Sequence, residues 1–239
     1  MVEKVHYSDL LPHEFRARLA QRAVGYLPLG TLEWHGEQNA LGSDTLISQG
    51  LFERAARELG GIVFPPLFLG PDRAAPQPDG RILQGMDTAN VTTPHRQLDG
   101  SCYWIPRGMF FQLCEAILEQ AARAGFKCLV ADGHGPSRTA WAEQADDWEK
   151  RFGLKLVSIA RDLRAHWRSQ MDHAARNETS LMMALHPSLV DLSQLSKDRS
   201  VWPQGVAGED PRDATPEHGE ECLRVCLDAL RDHLKEIGM

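Results

Sequence analysis

Short apolar runs alternate along this chain with longer stretches whose apolar positions recur at helical spacing. Val24 to Leu29 is a continuous run of strand length, and 61–65, 127–131 and 154–160 repeat the pattern. Between them the spacing predicts helices over 10–21 behind Ser8, from Asp44 or Thr45 to about 59, near 106–124 and near 137–151. A short apolar helix follows at 181–185, and a long one runs from about 216 to 237. Strands that alternate with helices predict an α/β fold of three α/β/α layers, a mostly parallel sheet covered on both faces. The chain carries no internal repeat, and one domain over 1–239 is the expectation.

Three polar clusters interrupt this pattern. Residues 33–44 place Glu33, His35 and Asp44 just past the first apolar run. Open α/β sheets keep their sites at strand carboxyl ends. Glu33 and His35 point to one side if the backbone stays extended. Gly36 and Gly42 would let the loop bring Asp44 back. An isolated Glu-x-His pair is equally the mark of a solvated carboxylate beside a surface imidazole. The second cluster, Asp132-Gly133-His134-Gly135-Pro136, follows the run at 127–131, where a histidine is as readily a strand cap as a ligand. The third, residues 172–180, includes Asp172, His173, Asn177, Glu178 and Thr179. Ordinary capping by Asn177 or Thr179, with Glu178 favoured by the helix dipole, accounts for it by itself. A mixed imidazole and carboxylate set suits zinc, manganese or iron better than calcium or magnesium.

Taken together and in order, these pieces resemble the creatininase (creatinine amidohydrolase) superfamily. The likeness rests on 27–36 (LPLGTLEWHG), 42–45 (GSDT), 132–135 (DGHG), 173–182 (HAARNETSLM) and 205–219. It covers most of the chain and implies a two-metal hydrolytic centre. Glu33 and His35 would each bind one metal, Asp44 would bridge them, and His134 would join the first. Creatininase carries a further glutamate ligand two residues after that histidine, where this chain has Pro136. Glu178 is the candidate for the missing carboxylate. His173 matches the family's active-site histidine, and Asp172 falls where creatininase has a glutamate.

The resemblance implies hydrolysis of an amide C–N bond, of cyclic amide or formamide type, by a metal-activated water. His173, with an ordinary pKa near 6.5, would act as general acid toward the departing amine. No Gly-x-Ser-x-Gly elbow and no cysteine-centred arrangement offers a nucleophile instead. Glu37-Gln38 replaces the His-His pair of creatininase, which changes charge at the expected pocket edge. Alternatives are a metal-dependent peptidase with an open groove and a ligand-binding scaffold without turnover.

Composition adds boundaries. With 239 residues, 42% of them hydrophobic, the chain can build a sizeable core. A net charge of −7 with no basic run argues against nucleic acid and anionic membranes as partners. Five cysteines without CxxC spacing suit a reducing cytoplasm, with Cys222 and Cys226 as core thiols. No apolar run approaches membrane-spanning length, and the opening Met-Val-Glu-Lys-Val-His is no leader. The proline- and glycine-rich stretch 69–107 reads as one long irregular segment, either substrate-shaping or a subunit contact. It holds Arg73, Arg81, His95, Arg96, Tyr103 and Trp104, a mixture suited to a polar, anionic ligand. Residues 193–208, with Trp202, are a second lid or interface candidate. Relatives' assembly implies a homo-oligomer, with hexamers common. Trp141 and Trp148 share a helix face and read as core, while Trp34 should point away from the metals.

Overall fold

A computed structural model describes residues 4–239, so residues 1–3 of the opening stretch lie outside the described residues. In chain order the elements are α1 (Pro12–Gln21), β1 (Val24–Leu29), α2 (Ser43–Glu58), β2 (Ile62–Val63), β3 (Ala74–Pro76) and β4 (Ile82–Gln84). There follow α3 (Arg107–Ala124), β5 (Cys128–Gly133), α4 (Gly135–Phe152), β6 (Lys155–Ser158), α5 (Arg176–Leu185) and α6 (Pro216–Glu236).

The main sheet runs β2-β1-β5-β6, and every neighbouring pair is parallel. Side chains alternate along each strand, so both faces must be covered. Val24, Tyr26, Cys128, Val130 and Val157 join α2, α5 and α6 in one buried layer, which takes in Cys222 and Cys226. Leu27, Leu29, Leu129, Ala131 and Leu156 join α3 and α4 in the other, with Trp141 and Trp148 edge to face at 5.4 Å. The expected three-layer α/β/α fold is therefore what forms. α6 presents Leu223, Leu227, Leu230 and Leu234 at helical spacing to the first layer. Among the described residues no helix is long and apolar enough to cross a membrane.

Topology places the site. From β1 the chain crosses through α2 to β2 on one side, while β5 pairs on the other. The loops leaving β1 and β5 therefore diverge and leave a crevice at the strands' carboxyl ends. Register fixes its walls, because Leu29 pairs with Gly133 at the last rung of β1 and β5. The residues just beyond, Gly30 onward and His134, start side by side.

Several boundaries differ from expectation. α4 begins at Gly135, two residues earlier, because Pro136 fits a first turn that needs no N–H from it. β6 ends at Ser158, whose N–H is taken at 2.8 Å by the Asp162 carboxylate, and 159–163 form a π-helical turn. The stretch 69–107 is not irregular throughout. β3 and β4 pair antiparallel as a hairpin, and a 3-10 turn follows at Gly85–Thr88. Strands of three residues, Ala-Ala-Pro and Ile-Leu-Gln, are too short to carry an alternation by which to find them.

Candidate metal centre

The loop from β1 to α2 is held by main-chain bonds that aim its side chains. Glu33 N–H donates to Leu41 O at 2.9 Å, and Cys102 N–H donates to Leu32 O at 2.7 Å. Gln38 is buried and braces the loop on the third cluster, donating to Ala174 O at 2.6 Å and to Thr179 Oγ1 at 3.3 Å. Glu37 is exposed, and neither residue lines the cleft, so the expected change at a pocket edge is not found there. Trp34 turns away from the cleft as anticipated. Its Nε1–H donates to Gln204 O at 2.9 Å and its ring lies on Gly205. Its N–H donates to Ser101 Oγ at 2.8 Å, so the two non-helical segments both anchor on this loop.

Glu33, His35, Asp44, His134 and Glu178 converge in one buried group. Their potential ligand atoms form two triads, Glu33–Asp44–His134 and His35–Asp44–Glu178, each within 4.8 Å, and a third such group joins Glu33 and His35 to the half-buried His173. Asp44 belongs to the first two. It stands in the first turn of α2 with Oδ1 3.4 Å from His35 Nε2 and Oδ2 3.0 Å from His134 Nδ1. Glu33 Oε2 lies 3.5 Å from His134 Nδ1, and Glu178 Oε2 lies 3.7 Å from His35 Nε2.

Asp172 and His173 lie beside this group with different duties. Both oxygens of Asp172 accept main-chain N–H bonds, from Asn177 at 2.8 Å and Glu178 at 3.1 Å. Asp172 thus caps α5 from outside, where Asn177 or Thr179 had been the expected cap; α5 starts at Arg176 and both lie within it. Ala174 adopts a left-handed φ of 53° and donates its N–H to Glu178 Oε2 at 2.6 Å, folding that carboxylate toward His35. The His173 ring lies 4.5 Å from the His35 ring, and its Nε2 is 2.8 Å from Trp34 O. A carbonyl only accepts, so Nε2 carries the hydrogen and Nδ1 keeps the lone pair.

The residue that sequence reasoning missed is Asp72. It precedes the β3–β4 hairpin, its side chain is almost fully buried, and its Oδ2 lies 3.3 Å from His134 Nε2. It falls within the segment suspected of shaping the site, but a lone aspartate between a proline and an arginine gives no signal of its own.

Burial and charge act in opposition here. Burial pulls the His35 imidazole down, but the close charge of Asp44, with Glu178 and Glu33, lifts it to about 10. His134 is likewise raised well above its ordinary value, as Glu33, Asp44 and Asp72 overcome its burial. Burial pushes Glu33 up to about 7 and Glu178 well up, whereas His35 and His134 overcome burial at Asp44 and hold it low. The expectation of an ordinary pKa for His173 is corrected. Burial, and then the nearby charge of His35, push it down to about 3, so the ring is neutral at neutral pH.

This donor set fits divalent cations. Four carboxylates surround two imidazoles, and the positive charge they demand is what a cation supplies. His35 Nδ1 bonds Glu33 O at 3.0 Å, which leaves Nε2 as the ligating nitrogen. That Nε2 is a buried polar atom without a hydrogen-bond partner among the described residues, while His134 turns Nδ1 to Glu33 and Asp44 and Nε2 to Asp72. The cleft lined by Glu33, Asp44, Asp72, His134, His173 and Glu178 has a volume of about 260 Å³.

A family model for creatininase, creatinine amidohydrolase, matches residues 8–234. A creatinine amidohydrolase of Pseudomonas putida is 26% identical over 273 residues, with 99% of this chain and 98% of its own covered. Two solved creatininases, a manganese form and a variant of zinc–zinc type, share the fold at a TM-score of 0.72 and 23% identity. Each covers 98% of both chains.

Proposed function

The chain belongs to the creatininase family of metal-dependent hydrolases of carbon–nitrogen bonds, and we propose that it cleaves a small cyclic amide or a formamide at a two-metal centre. The observation that carries this reading is the pair of ligand triads sharing Asp44. Glu33, Asp44 and His134, with Asp72 beside them, would hold one divalent cation; His35, Asp44 and Glu178 would hold the other. Zinc, manganese and iron all suit this set, and the manganese and zinc–zinc forms of the relatives support the first two. Cations bound there would polarise an amide carbonyl and lower the pKa of water from about 15.7 to about 7.

The remaining chemistry belongs to this chain's own residues. His173 is neutral, with Nε2–H committed to Trp34 O, so any proton it moves passes through Nδ1. It would first take a proton as base and then deliver it to the departing amine nitrogen, in place of starting as an acid. Asp172 is a positioning residue that fixes the first turn of α5 and hence Glu178.

A homo-oligomer is part of the proposal, supported by exposed Tyr103, Met109, Val201 and Trp202 in or beside the two non-helical segments. Five free thiols support a reducing compartment such as the cytoplasm. Metal per chain, measured by elemental analysis of untagged protein purified without chelator, tests the centre. Close to two equivalents, with hydrolysis of creatinine or of a formamide in a substrate panel, is expected. Absence of metal, with none taken up on addition, would move the reading to a ligand-binding scaffold.

A further inference from the structure

Beside the metal cleft lies a larger cavity of about 600 Å³. The two share Asp72, Arg73, Gly135, Pro136, Arg138 and Gln170 as common walls. A molecule held at the cluster would therefore extend into the larger space. Its lining carries four arginines, Arg73, Arg107, Arg138 and Arg164, against a single carboxylate, Asp72. That balance runs against the rest of a chain whose net charge is −7.

The arginines are not equally free. Arg107 is paired with Glu143 outside the cavity. Arg138 is tied to Asp132 Oδ1 at 3.3 Å and to Gln170 O at 2.7 Å, which fixes its position in the wall. Arg73 and Arg164 make no ion pair within 4 Å among the described residues; the one lining carboxylate, Asp72, turns Oδ2 to His134 and accepts the Arg73 N–H on Oδ1, with the Arg73 charge acting on it from farther off. The first turn of α4, Gly135 and Pro136, adds the positive end of an 18-residue helix. Pro136 also stands where the family resemblance expects a glutamate, so Asp72 is the one carboxylate on the walls the two cavities share. Ile159, Ala160 and Met171 supply apolar wall between the charges.

We propose that the substrate of this hydrolase carries an oxyanion, a carboxylate or a phosphate, that seats between Arg73 and Arg164 in this cavity while its amide lies at the metal cleft. The inference rests on the function proposed above and narrows its substrate class. Guanidinium groups bind carboxylate and phosphate oxygens through charge-assisted, often bidentate bonds. A neutral ring such as creatinine leaves both of them unused.

The test is calorimetric titration of the metal-loaded protein, as purified, with succinate, inorganic phosphate and neutral succinamide. One or both anions bind and succinamide does not. In the double variant Arg73→Gln/Arg164→Gln the anion affinity falls about tenfold or more, the loss expected for charged hydrogen bonds. Arg81→Gln keeps wild-type affinity, since Arg81 is exposed on the hairpin and paired with Asp79. Preference for succinate assigns a carboxylate substrate, and preference for phosphate a phosphorylated one. Anion binding undiminished in the double variant would assign it to the metals and overturn the proposal, as would no binding of either anion at millimolar concentration. Elemental analysis of the same samples keeps the two readings apart. A wild-type protein without metal refutes the hydrolase centre, whatever the arginines bind.

Discussion

His173 donates Nε2–H to the main-chain carbonyl of Trp34 at 2.8 Å, and that bond decides which ring nitrogen can carry a proton in the site. Trp34 is in turn held by Gln204 and Ser101, so the tautomer is set by the loop between two metal-ligand candidates. His173→Gln removes the proton carrier and leaves the two triads that share Asp44 intact, although it breaks the group of Glu33, His35 and His173. We expect kcat to fall about 10²–10⁴-fold, with KM and metal content close to wild type. Steady-state kinetics on metal-assayed protein decide it, and loss of metal together with activity would make His173 a ligand.

Asp44 is the shared member of both triads. Asp44→Ala should therefore empty the whole centre, where loss of a residue from one triad should empty half of it. Elemental analysis should find almost no metal, hydrolysis should vanish, and circular dichroism should still report the fold. A folded variant that hydrolyses its substrate undiminished would sink the proposed site.

Asp72 faces His134 Nε2 from the hairpin side. Asp72→Asn keeps the shape and removes the charge. Outer groups that orient a ligating histidine contribute about 10–100-fold to metal affinity, and a loss of that size is expected at the His134 side alone. Competition with a chelator would measure one weakened equivalent beside one unchanged. Two unchanged equivalents would deny Asp72 any part.

Metal affinity should rise with pH. Without a cation His35 holds its proton up to about 10 and Glu33 up to about 7, and a metal takes both in their deprotonated forms. Binding at neutral pH must then release protons, and acidification must favour the protonated protein. Calorimetry at pH 7 in two buffers of different ionisation enthalpy should report release of about one proton or more per chain. Affinity that is flat from pH 6 to pH 9 would contradict the charge balance argued for the cluster, whose raised pKa values predict about a tenfold change per proton and pH unit.

The parts of this molecule legible in the sequence were those with a period or a motif. β1 was read to the residue because an apolar run of six has few alternatives, and α6 because its leucines keep helical spacing. Glu33, His35, Asp44 and His134 were singled out because they sit just past such runs, and the topology gathers them at one crevice. Asp72 was not legible. Its place depends on a hairpin of two three-residue strands, and only the folded chain brings it to His134. The acid–base state of His173 was also hidden, since it follows from burial and the neighbouring His35. Asp172 looked catalytic by its position beside His173, but its oxygens are already committed to α5.

Gly133 offers a test of how the crevice is built. It has a φ of 146°, and a Cβ there would stand 1.6 Å from Leu29 O, its register partner across β1 and β5. No side-chain rotation can relieve a clash with main chain. Separating the strands would break the last rung of the sheet and the alignment that starts Gly30 beside His134. Gly133→Ala should cost more than about 4 kcal/mol, because a main-chain clash adds to the backbone strain of about 1–3 kcal/mol. Gly135→Ala, two residues on, meets nothing within 4 Å and should stay within about 0.5 kcal/mol of wild type. Urea unfolding of the two variants separates these expectations. Near-equal stabilities would mean that β1 and β5 can part without loss, and the close pairing of Leu29 with Gly133 would no longer explain how His134 reaches Asp44.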